Sequence, residues 1–228
     1  MKYSIIGENM QALKLVLEQG EKIYSDSGKL VSKSDNIHMT PRLSGGIGKA
    51  IIRRATGATA LLTEFENKGG EGHVAVAGVL PGKIRIIQLE EGEAFVAEHN
   101  AFIAAQETVD FSMQLVNIGA AFFGGAGVVL QRFIGPGAIF INVIGDVIEH
   151  TLDGSRDIEV EPGHIAGYSG GLTYAVRFVD NIRTAMFGGV GLFLATFRGQ
   201  GTLILHSVSR NKLATDLYTL GKAAAGNR

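Results

Sequence analysis

The sequence predicts an all-β fold: three tandem strand-rich repeats in one pseudo-threefold domain, followed by a short C-terminal helix. Three observations carry this. Apolar and polar residues alternate over short stretches, a glycine-framed block recurs around three phenylalanines, and a second block recurs between copies of the first. The 228 residues, 46% of them hydrophobic, suffice to bury a sizeable core and are too apolar for a disordered chain.

The alternation is read in KIRIIQL, EAFVA, DIEVEP, LTYAVRFV and TLILHSV, which are rich in β-branched and aromatic residues. Turn signals separate them: EEGE, LDGS, EPG, SGG, GPG and GQG. Paired glycines beside short strands suit tight turns and close strand packing. Strands at intervals of about 8 to 12 residues favour a sandwich or barrel over βαβ units.

The glycine-framed block reads GGAGVVLQRFIGPGAIFINV around Phe133 and GGVGLFLATFRGQGTLILHS around Phe197, a spacing of 64 residues. A degraded copy, TGATALLTEFENKGGEGHVAVA, surrounds Phe65, with Gly57 where Gly125 and Gly189 stand. The second block matches Leu17, Ile23, Gly28 and Leu30 with Leu89, Phe95, Asn100 and Phe102, then with Leu152, Ile158, Gly163 and Ile165. Two independent blocks recur in the same order, so the repeats span approximately 10–80, 81–143 and 144–209, with helix and tail at 210–228.

Taken in order, the first repeat opens on MQALKLVLEQ. Its residues are helix formers, but it aligns with GKIRIIQLEE, and Leu13, Leu15 and Leu17 alternate as a strand face does. The second repeat contains the best-formed block, with Phe133 in the core and Gly135 to Gly137 as the turn. In the third, GYSGG links two strands. At the C-terminus Asn211 is the expected helix cap, Leu213, Leu217 and Leu220 share a face, Gly221 is the expected stop, and AAAGNR is expected to fray.

Composition excludes several classes. The net charge is −1, so no global field draws the chain to nucleic acid or anionic lipid. The absence of cysteine rules out disulfides, thiolate metal sites and a cysteine nucleophile, and fits the cytoplasm. The start, MKYSIIGENMQ, lacks the apolar core of a signal peptide. The 21 uncharged residues 111–131 are long enough to span a bilayer, but Ser112, Gln114, Asn117, Gln131 and several glycines point to buried strands instead.

No catalytic, cofactor or metal site emerges. GGIGKAI (45–51) has Ala50 where a phosphate loop needs Ser or Thr, and GEGHVA (70–75) leads into a strand pattern, not a helix. Ser169 in GYSGG, followed by Asp180 and His206, matches the order of a hydrolase triad, but the elbow motif requires a helix after the serine and LTYAVRFV follows instead. The histidines His38, His73, His99, His150, His164 and His206 form no metal-binding spacing and are expected at the surface or in turns. DGSRDIE (153–159) has Ile158 where a calcium loop needs glycine, and reads as a hairpin. The basic pair Lys83 and Arg85 does not recur from repeat to repeat, and there is no tryptophan, so nucleic-acid recognition has no strong signal.

PGKIRIIQLEEGEAFVAEHNAFIAA (81–105), FFGGAGVVLQRFIGPGAIFINV (122–143), VEPGHIAGYS (160–169) and FGGVGLFLATFRGQGTLILHSVS (187–209) resemble the family named for altered inheritance of mitochondria protein 24. That resemblance implies three copies of a short double-stranded β-helix, similar to the subunit of the tryptophan RNA-binding attenuation protein. Such units close into rings by edge-to-edge pairing, and a three-repeat chain would then form a homotrimer of nine units. The expected function is that of a non-enzymatic oligomeric scaffold or binding protein. The alternatives are a peripheral membrane or envelope-associated role, suggested by the family's mitochondrial members, and a small-molecule or RNA binder at repeat interfaces.

Overall fold

The computed structural model describes residues 1–42, 62–116, 128–178 and 193–226. The GGIGKAI stretch, Asp180, and the N-terminal glycines of the repeated block lie outside the described residues, as does the middle of the uncharged 111–131 segment.

The chain is mostly antiparallel β-structure. β1 (Lys2–Ile6) precedes β2 (Ala12–Leu17), β3 (Lys22–Asp26), β4 (Leu30–Lys33), β5 (Ile37–Arg42), β6 (Leu62–Asn67) and β7 (Gly72–Ala77). Next come β8 (Gly82–Leu89), β9 (Ala94–Glu98), β10 (Phe102–Gln106), β11 (Asp110–Val116), β12 (Val128–Ile134) and β13 (Gly137–Ile144). Then follow β14 (Val147–Asp153), β15 (Ile158–Val160), β16 (Ile165–Ser169), β17 (Leu172–Phe178) and β18 (Phe193–His206). MQALKLVLEQ contains strand β2: Leu13, Leu15 and Leu17 are all fully buried, while Lys14 and Val16 between them are only partly so.

The registers recur through the chain. Leu17 faces Gly72, Leu89 faces Gly137, and Leu152 faces Gly201. Ile23 faces Phe65, Phe95 faces Phe133, and Ile158 faces Phe197. A bulge interrupts the β4–β7, β10–β13 and β16–β18 pairings at Val31, Ile103 and Ala166 respectively. β18 fulfils in one strand what β12 and β13 do in two, because Gly199 (φ 106°) and Gly201 (φ 147°) let it bend without a break.

Strand order shows how neighbouring groups join. One sheet runs β5-β6-β3-β10-β13-β8, and another runs β11-β12-β9-β16-β18-β14, with β15 and β17 also on β18. β3 of the first group thus pairs with β10 of the second, and β9 of the second pairs with β16 of the third. The remaining sheet is β1-β2-β7-β4.

Phe65, Phe133 and Phe197 each anchor a buried apolar cluster. The central cluster is the most aromatic: the Phe102 and Phe133 rings lie 4.8 Å apart, and Tyr24 donates its hydroxyl to the Val109 carbonyl at 3.0 Å. Burying each phenylalanine contributes roughly 1.5–3 kcal/mol.

Helix α1 (Arg210–Gly226) differs from expectation at both ends. Arg210 is already helical, so Asn211 is not the cap, and the Leu213 N–H donates to the Ser209 carbonyl. The helix also runs through Gly221, whose φ is not left-handed. Glycine inside a helix costs only about 1 kcal/mol, and Lys222 to Ala224 favour continuation. No helix among the described residues is long and apolar enough to cross a membrane.

The β9–β16 junction depends on close approach. A Cβ on Gly167 would lie 2.5 Å from the Phe95 ring and 2.8 Å from the Val96 carbonyl oxygen. Gly167→Ala should therefore lower unfolding free energy by about 1–3 kcal/mol in urea titrations. Gly69→Ala, where a Cβ meets nothing within 4 Å, should stay within about 0.5 kcal/mol of the parent.

Candidate functional site

Two features distinguish themselves from the regular architecture: a pair of sheet edges left open among the described residues, and a cleft between the second and third strand groups.

β4 and β15 occupy the positions that are paired at both internal junctions. β10 lies between β13 and β3, and β16 between β18 and β9, whereas among the described residues β4 has only β7. β3 and β9 likewise have neighbours on both sides, whereas β15 has only β18 among the described residues. The side chains follow suit. Phe102, Ile103, Ile165 and Ala166 are buried, but their counterparts Leu30 and Val31 are 36% and 62% exposed. An unpaired strand carrying exposed apolar side chains is a template for another chain.

The cleft has a volume of about 750 Å³ and lies between β8 with its following turn on one side, and β14, the β16–β17 turn and the middle of β18 on the other. Ile87, Leu89 and Ile204 supply apolar wall, while Glu93, Arg132 and Glu149 supply charge. Arg85 and Glu149 form an ion pair. Arg132 is half-buried, and no carboxylate among the described residues pairs with it. Its counterpart in the first group, Glu64, is neutralised by Lys22 and Arg42.

The corresponding space between the first and second groups is filled by the chain's own start. β1 pairs with β2, placing Lys2 opposite Val16 and Tyr3 opposite Leu15. The Tyr3 ring meets Phe140 edge-on at 5.4 Å, and the Met1 ammonium donates to Glu21 Oε1 at 2.6 Å. Burial raises the Glu21 carboxyl, but the ammonium and the Glu18 N–H outweigh it and hold Glu21 below the usual range. Sequence reasoning missed β1 and this pair. A signal existed in LEQGE (17–21) and LEEGE (89–93), which place Glu21 and Glu93 identically after a leucine.

Of the residues in the triad order, Ser169 and His206 are described, and they do not pair. Ser169 Oγ accepts the Thr202 N–H at 3.0 Å. Gln106 Oε1 accepts the Ala138 N–H, and Ser34 Oγ the His73 N–H, at the equivalent places, so Ser169 performs a repeated structural task. His206 makes no hydrogen bond to Ser169: its Nδ1 accepts the Ile144 N–H at 2.9 Å, and its backbone carbonyl contacts His164 Nδ1 at 2.7 Å. The expectation that all histidines sit at the surface or in turns fails here, because His206 is 3% exposed in β18. It is retained inside because its ring nitrogen satisfies a buried backbone donor. Asp153 Oδ1 accepts the Ser155 N–H, which makes DGSRDIE the turn between β14 and β15. GEGHVA runs into strand β7. No group of three or more metal-ligating side chains exists among the described residues.

Comparison with known proteins gives one family and two relatives. The profile of the family described as Mitochondrial biogenesis AIM24 matches residues 3–208. An uncharacterised protein of Streptococcus pyogenes serotype M6 is 27% identical over 212 residues, covering 90% of this chain and 84% of its own. A crystal structure of a Streptococcus pyogenes protein superposes with a TM-score of 0.79 at 23% identity, over 96% of this chain and 99% of that one. That likeness concerns the fold.

Burial, reinforced by the nearby His164 and Arg210, pushes the His206 imidazole down to about 4. The unfolded chain takes up this proton near pH 6.5, before the folded one does. Stability should therefore be full above pH 6.5 and fall by ~3 kcal/mol as pH drops towards 4. In pH-dependent urea titrations His206→Asn, which keeps an acceptor for Ile144, should flatten that decline.

Proposed function

The chain belongs to the Mitochondrial biogenesis AIM24 family, and from that premise we propose a non-catalytic, self-assembling scaffold whose copies join head to tail. β15 of one copy pairs with β4 of the next. The observation that carries this reading is the placement of the two open edges: they are the halves of a junction made twice already inside the chain, at β3–β10 and β9–β16.

The internal registers specify the external one. Ser25 faces Ala104 and Tyr24 faces Ala105, while Ala97 faces Gly167 and Val96 faces Tyr168. Carried to the open edges, Val160 faces Ser32 and Glu159 faces Lys33 of the neighbour. Opposite charges meet, and Leu30 and Val31 gain the cover that Phe102 and Ile103 have. In this reading the three strand groups are copies of one unit. Because the interface is heterologous, it closes a ring or grows a filament; closure at three chains gives the ring of nine units expected from the sequence resemblance.

Absence of catalysis belongs to the same proposal. Its support is that the polar side chains with recurring hydrogen bonds, Ser34, Gln106 and Ser169, satisfy backbone donors.

Light scattering should give three times the chain mass of 24.1 kDa. Val31→Asp alters a side chain that is 62% exposed and should leave the fold intact while reducing the mass to that of one chain. A monomeric parent, or a Val31→Asp variant that still assembles, would overturn the proposal.

A further inference from the structure

The cleft between the second and third groups is built like the one that the chain's own N-terminus fills. In the filled cleft, the Glu18–Glu21 turn is closed by the Glu21 N–H on the Glu18 carbonyl, 3.0 Å, and by Glu21 Oε2 on the Glu18 N–H, 2.8 Å. This leaves Oε1 to take the Met1 ammonium. In the open cleft the Glu90–Glu93 turn repeats both bonds, at 3.1 Å and 2.8 Å. Glu93 Oε1 is left with no donor among the described residues, and Glu93 lines the cleft.

The strand beside the turn repeats as well. β2 carries β1 on its outer edge, whereas among the described residues β8 ends its sheet. By the leucine–glycine registers, Gln88, Ile87 and Ile86 stand where Val16, Leu15 and Lys14 receive Lys2, Tyr3 and Ser4. Ile204 stands where Phe140 meets the Tyr3 ring, leaving more room for the third side chain of a guest. Arg85, the counterpart of Leu13, pairs with Glu149 and marks the inner end after about four residues. The third group lacks the device: Arg156 stands where Glu21 and Glu93 do.

We propose that the open cleft binds the free amino terminus of a polypeptide, which adds to β8 as an antiparallel strand with its ammonium on Glu93. Main-chain hydrogen bonds to β8 supply affinity, and the ammonium fixes register, as in other cases of strand addition. Arg132, which has no carboxylate partner among the described residues, presents N–H donors to the guest's carbonyl oxygens. The guest has apolar first and third residues, by analogy with Met1, whose side chain is 4% exposed, and Tyr3. The cleft does not involve β4 or β15, so its occupancy is independent of assembly.

The test uses a synthetic hexapeptide of this chain's own residues 1–6, fluorescein-labelled at its C-terminus, with free or acetylated N-terminus. Fluorescence anisotropy should show saturable binding of the free form, weakened at least tenfold by acetylation and at least tenfold by Glu93→Gln. That variant keeps an acceptor for the Glu90 N–H, so the turn survives. Glu21→Gln should leave the affinity within twofold. No binding at millimolar protein, equal binding of both peptides, or a loss caused by Glu21→Gln in place of Glu93→Gln would each overturn the proposal; the last would mean exchange into the first cleft.

Discussion

Pairing of strand edges is the constraint on which the rest of this structure depends. The described strands form three sheets, and the part that any one group contributes to them is too small to protect its own borders. The chain meets the constraint by lending β3 to the second group and β9 to the third. The cores follow from that exchange. Ile103 and Ala104 of the second group are buried with Phe65 and Leu15 of the first, and Val96 of the second is buried with Phe197 of the third. The junctions are therefore as apolar as the groups they connect, and among the described residues β4 and β15 are the two strands at those positions left without a second neighbour.

The same constraint explains the polar residues that stay inside. Asn67 is fully buried, and it donates to the Leu17 and Gly70 carbonyls while accepting from the Gly69 N–H. Asn142 reaches the Leu80 carbonyl, and His206 takes the Ile144 N–H. Each takes up a backbone group that would otherwise be orphaned, a loss of about 1–3 kcal/mol. These positions look chemical in isolation. Within the fold they complete backbone pairing, and the acid sensitivity of His206 follows from its place in that task.

Much of this was legible in the sequence because the constraint recurs. Leu17, Leu89 and Leu152, and the three core phenylalanines, recur in the same order and keep equivalent facing partners, since each register is set by alternation and turn length. What could not be read was long-range or singular. MKYSII is too short and mixed to announce a strand, and it becomes one only on the edge of β2. His206 follows Leu205 in an alternating stretch, and nothing local reveals that Ile144 needs its ring. Gly221 carries the residue type of a helix stop but lacks the following left-handed turn. The open cleft is a difference between strand groups, visible only after β1 is seen filling its counterpart.

The central claim is that β15 of one copy completes β4 of the next. The chain contains no cysteine, so the paired variant Ser32→Cys with Val160→Cys places thiols only at residues that the inferred register sets face to face. Mild oxidation followed by non-reducing electrophoresis should yield covalently linked chains culminating in a closed trimer, with neither single variant cross-linking. Failure to cross-link, or a disulfide formed within one chain, would contradict the account.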